Sequence, residues 1–154
     1  LFAILVLAGI TYAAWRFVHS RDDRMCMACQ RPIHGNSRTI ALVDGRRGAY
    51  CCPACALSEH IQRSKPVDVL SLTDHLTGNK LDPSGAYLVR GSSHNACTHH
   101  QQQQASADKR PLETHFDRCA PSILAFATRD QAAAFARDNG GRVVSFEELS
   151  SKFR

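Results

Sequence analysis

Two C-x2-C pairs constrain this chain more than any other feature: Cys26 with Cys29, and Cys52 with Cys55, twenty-two residues apart. Two sulfurs at i and i+3 on a tight turn can face one ion, and a second pair can complete a tetrahedron. The intervening segment must therefore fold back on itself. A strand is expected over 37–43, a turn at Asp44-Gly45, and a returning strand over 48–52. Pro53 then opens a helix over 54–64, which Lys65-Pro66 ends. Cys51 competes through a C-x3-C spacing with Cys55. Neighbouring strand residues point to opposite faces, so one of Cys51 and Cys52 is expected to join the other three, and Cys52 keeps the regular spacing.

Other chemistries for these pairs are weaker. Neither pair is followed by histidine, because Gln30 and Ala56 come next, which leaves haem attachment unsupported. Cys52-Pro53-Ala54-Cys55 between a strand and a helix suits a thiol-disulfide oxidoreductase. Two disulfides in an oxidising compartment remain the plainer alternative. With seven cysteines, at least one stands outside any full set of intrachain bridges.

The chain opens on leucine rather than methionine, so preceding residues are expected. Residues 1–15 carry no charge, and the apolar run resumes past Arg16. Eighteen helical residues reach about 27 Å, close to the hydrocarbon thickness of a bilayer. A transmembrane anchor is expected over 1–18, with Trp15 and Arg16 at the interface and a polar spacer over 19–24. Arg16, Arg21 and Arg24 mildly favour an inside C-terminus.

Residues 25–66 then form the cysteine knuckle lobe and 67–154 a second α+β lobe. In the latter, strands are expected over 67–74 and 86–91, and a polar loop over 92–111 that contains four consecutive glutamines. A strand over 122–128, a helix over 129–139 stopped by Gly140, and a strand over 142–146 follow. The fold class is α+β. A second cluster lies here: His94, Cys97, His99 and His100, joined later by His115 and Cys119. Sulfur beside imidazole suits copper(I) or zinc. His94, Cys97 and Cys119 are candidate ligands, with Cys51, His99, His100 and His115 as alternatives. A Cys97–Cys119 disulfide is equally open.

These segments resemble the copper-binding accessory protein family of nitrous oxide reductase. The stretch 26–33 is similar to that family's cysteine-containing opening, 72–92 to its central stretch, and 119–149 to its closing strand-helix-strand unit. The N-terminal part also resembles the treble-clef-like heavy-metal finger of metal trafficking and sensing proteins. The resemblance implies small β-β-α-β units, an extracytoplasmic (periplasmic), membrane-attached protein, and copper delivery or holding without catalysis. The family's Cys-x-Met element is not kept, because Arg31 stands two residues after Cys29, and Cys119-Ala120-Pro121-Ser122 replaces a methionine-glycine element. Cysteine and histidine thus stand where the family uses thioether.

The reading is a membrane-anchored metal-binding accessory protein with zinc at the knuckle and copper at the second site. Its expected partner is a membrane or extracytoplasmic metalloprotein. A non-catalytic structural or assembly subunit with a structural zinc is the alternative. No catalytic triad, phosphate loop or carboxylate pair argues for an enzyme. The net charge of +5 is scattered, without the aromatic interleaving of a nucleic-acid surface.

Overall fold

A computed structural model describes residues 9–12, 24–97 and 118–150. The chain is α+β, with two small antiparallel sheets and short helices. The expected membrane-spanning helix over 1–18 is corrected. Among the described residues no helix is long and apolar enough to cross a membrane. Only 9–12 of that segment are described, as helix with Ile10 and Tyr12 exposed. The rest of the segment and nearly all of the spacer lie outside the described residues. The membrane anchoring expected from this helix is withdrawn with it, and so is the extracytoplasmic placement, which the family resemblance implied for a membrane-attached protein.

The first sheet has the order β2-β1-β3-β4. Strands β1 (Thr39–Val43) and β2 (Arg46–Tyr50) form a hairpin with Val43 opposite Arg46. Asp44 and Gly45 both take positive φ, 53° and 73°, the left-handed pair of a type I′ turn, whose twist matches that of the strands. Helix α1 (Pro53–Arg63) follows at once, with proline in its first turn and a left-handed Ser64 closing it through a bond to the His60 carbonyl. Strand β3 (Val67–Thr73) pairs with β1, and β4 (Lys80–Leu81) completes the sheet.

The second sheet has the order β6-β5-β7. Strand β5 (Tyr87–Arg90) is central, β6 (Ile123–Phe126) and β7 (Arg142–Ser145) flank it, and α2 (Arg129–Asn139) connects the flanks. A short helix α3 (Phe146–Ser150) ends the described chain. Thr128 caps α2 in a reciprocal box with Gln131. Gly141, at φ 93°, lies so near the β5 backbone that a Cβ would stand 2.9 Å from the Ser92 amide nitrogen.

Because side chains alternate along a strand, this sheet has two distinct buried faces. Val89, Leu124 and Phe126 face α2 with Ala132, Phe135 and Val143. Leu88, Ile123, Ala125 and Val144 face the other way, into a core shared with Cys26, Cys51, Cys52, Cys55, Cys97 and Cys119. Asp74 joins the two sheets. Its Oδ2 accepts from Ala127 N at 2.8 Å and its Oδ1 from Leu76 N and Thr77 N, while His75 N donates to the Ala125 carbonyl.

Candidate metal centre

Five segments converge on the sulfur-rich core. The knuckle at 26–31 is a tight reversal in which Cys26 N donates to the Arg31 carbonyl at 2.8 Å and Gln30 N to the Cys26 carbonyl at 2.9 Å. Gln30 takes φ 58° to complete it. Met27 N donates to the Ala49 carbonyl, which fastens the knuckle to β2. Cys51 and Cys52 follow the last residue of β2, and Cys55 lies in the first turn of α1.

Cys97 and Cys119 arrive from either side of 98–117, a stretch outside the described residues. Their flanks are clamped together. Ser92 Oγ and Ser122 Oγ are 3.0 Å apart, Ser122 Oγ donates to the Ser92 carbonyl at 2.8 Å, and Gly91 N donates to the Ser122 carbonyl at 2.8 Å. Asn95 then bonds both cysteine segments, accepting from Cys97 N at 3.0 Å and donating to the Cys119 carbonyl at 3.4 Å.

The resulting sulfur positions form two groups. Cys26, Cys29, Cys51 and Cys55 have their Sγ atoms within 4.8 Å of one another, and so do Cys51, Cys52, Cys97 and Cys119. Individual separations are 3.5 Å for Cys29–Cys51, 3.2 Å for Cys51–Cys97, 3.7 Å for Cys51–Cys119 and 4.0 Å for Cys51–Cys52. Four thiolates at about 2.3 Å from a tetrahedral ion stand about 3.8 Å apart, so either group suits one ion. All seven cysteines are free in this structure.

The regular spacing is thus not what the geometry follows. Cys51 joins Cys26, Cys29 and Cys55 in place of the expected Cys52, and Cys52 turns to Cys97 and Cys119. The rule of opposite faces holds for strand residues, but the strand ends at Tyr50 and both cysteines lie in the bend before α1. Cys97 and Cys119 are brought together as expected, but His94 is in neither group. Its ring packs 5.1 Å from His75 and 5.9 Å from Phe135, at the edge of the α2 core. His99, His100 and His115 lie outside the described residues. Cys52 is 3% exposed and Cys55 fully buried, so a partner disulfide has poor access to the pair and the oxidoreductase alternative loses its footing.

The thiols share protons unevenly. Cys119 is driven well below the ordinary thiol range by contacts with Cys51, Cys52, Cys55 and Cys97. Cys26 is likewise lowered, first by Cys51 and then by Cys55. Cys52 stands at about 6: Cys119 pushes it up, and Cys51, Cys55 and Cys97 outweigh that. Burial raises Cys29 to about 11. Each thiol's proton affinity is thus set by its sulfur neighbours, and a soft metal ion binds such a group by replacing its proton.

Three contacts surround the cluster, and those of Arg31 and Arg118 carry no sequence signal. Arg31 Nη1 lies 3.6 Å from Cys119 Sγ and puts a positive charge beside the sulfurs. Glu59, 5% exposed, pairs with Arg63 and Arg118, each at 3.3 Å. The Arg118 pair ties the Cys119 segment to the helix that carries Cys55. Its partners are 59 residues apart in sequence, beyond the reach of any local pattern.

No family model matches the chain. The HTH-type transcriptional repressor CutR of Bacillus subtilis is 24% identical over 129 residues, which is 83% of this chain and 57% of the repressor; the chain thus spans little more than half that relative's length. The copper chaperone NosL from Shewanella denitrificans, known from a crystal structure, superposes with a TM-score of 0.53 at 17% identity, over 80% of this chain and 87% of that one. Neither relative is named for a catalytic activity, in keeping with a non-enzymatic chain. What this chain shares with NosL is the fold.

Proposed function

We propose that this protein is a non-catalytic accessory protein that holds a thiophilic metal, zinc or copper(I), on its cysteines and passes it to a partner metalloprotein. The observation that carries this reading is the gathering of all seven sulfurs into two ligand-sized groups in the core. Soft thiolates select such ions, and a site absent from the unfolded chain links metal binding to folding. The likeness of fold to a copper chaperone supports the holding role.

The test is metal content and free-thiol count on protein purified under reduction. Bound zinc or copper(I), with thiols shielded from alkylation until a chelator is added, is the expected result. Reduced protein that takes up neither metal would end this reading. The likeness to a repressor favours a second role, in which the same cysteines report metal rather than pass it on. Transfer of the bound ion to an acceptor protein or chelator of matched affinity within minutes supports delivery, whereas retention supports reporting.

A further inference from the structure

The two sulfur groups are not separate. Each has four members, Cys51 belongs to both, and together they use every cysteine in the chain. Two tetrahedral ions need eight ligand positions, and one bridging thiolate reduces the requirement to seven. A thiolate has spare lone pairs with which to bridge two soft ions. We propose that the core holds a single binuclear centre: one divalent ion on Cys26, Cys29, Cys51 and Cys55, another on Cys51, Cys52, Cys97 and Cys119, with Cys51 Sγ as the bridge. This rests on the metal-holding reading above and specifies its stoichiometry and connectivity.

The geometry around Cys51 is that of a bridge. Its Sγ is 3.5 Å from Cys29 in the first group and 3.2 Å from Cys97 in the second. Cys55 and Cys119, one from each group, are also only 3.4 Å apart, so the two tetrahedra lie against each other. Charge favours divalent ions. Seven thiolates with two divalent ions leave roughly three negative charges, against roughly five with two monovalent ions, and burial penalises each uncompensated charge. Arg31 offsets part of the remainder at Cys119.

The divalent assignment has a structural consequence. The first ion closes the knuckle, the hairpin end and α1 on one another. The second ion adds the two segments clamped by Ser92 and Ser122 and so joins the second sheet to the first.

The experiment exchanges cadmium-113 into the reduced, metal-loaded full chain and records its NMR spectrum beside the metal-to-chain ratio. Two ions per chain, with two resonances in the tetrathiolate range each split by the other through the shared sulfur, are expected. C97S should lower the ratio from two to one and abolish the splitting while it leaves the Cys26 group's resonance. C51S should abolish the splitting and weaken both sites; if that variant does not fold, C97S and the splitting in the parent protein still decide. One ion per chain, or two unsplit resonances, would overturn the bridge and leave metal holding intact. A chain that binds no cadmium and no zinc overturns both.

Discussion

The two faces of the second sheet are built from the same three strands but rest on different physics. On the α2 side, Val89, Leu124, Phe126, Ala132 and Phe135 form a hydrocarbon core, with the Phe126 and Phe135 rings 5.1 Å apart. Such a core is held by burial and close packing and needs no ligand. On the other side, Leu88, Ala125 and Val144 meet a core in which six cysteines are buried. A thiol is a small hydrophobe and packs adequately, but once deprotonated it needs a compensating charge that hydrocarbon cannot supply. One face needs no ligand; on the other, the proposed metal would compensate the thiolates.

The largest expected effect follows from that contrast. Chelation of the metal under reduction should loosen 24–63 and leave α2 and its face of the sheet ordered, because structural thiolate sites of this kind contribute on the order of 10 kcal/mol. Hydrogen exchange before and after chelation measures it. Equal protection of 24–63 in both states would break the comparison.

The converse change is Phe126→Ala. Removing a fully buried ring from the hydrocarbon core should cost about 3–5 kcal/mol, read as a lower denaturant midpoint. Metal content of the folded variant should be unchanged; lost metal would mean that the two faces are not independent.

Asp74 tests the junction between the sheets. It is 1% exposed, and burial would raise its pKa, but the amides of Thr77, Ala127 and Leu76 outweigh that and hold the carboxyl below its ordinary value. A group depressed in the folded state adds stability that is complete above its unfolded value, about 3.9, and is lost as pH falls through the folded one. Asp74→Asn sets an amide donor against a backbone donor and should cost about 1–3 kcal/mol at neutral pH. It should also flatten the loss of stability below about pH 4. Parallel acid curves for the parent and the variant would remove Asp74 from this role.

Thr128→Ala should have the smallest effect. Loss of its bond from Gln131 N at the α2 cap should lower the thermal midpoint by an amount equivalent to about 1 kcal/mol, with no change in metal stoichiometry.

The sequence by itself determined the local elements: Asp44-Gly45 needs left-handed backbone and turns the hairpin, Pro53 starts α1, and Gly140 stops α2. These are decided within a few residues by backbone sterics and capping, so they can be read from composition and spacing. It also determined that sulfur chemistry matters here, because paired C-x2-C motifs are hard to explain otherwise. Only the tertiary structure decided which sulfurs meet. Cys51 replaced Cys52 because the strand ends before both residues, and a bend has no fixed alternation. Cys97 and Cys119 reached the knuckle because Ser92, Ser122 and Asn95 clamp their flanks, and because Asp74 holds one sheet against the other. His94 went instead to the aromatic edge beside His75 and Phe135. Each of these outcomes depends on contacts across tens of residues, and spacing along a chain records nothing about which distant surfaces exclude water together.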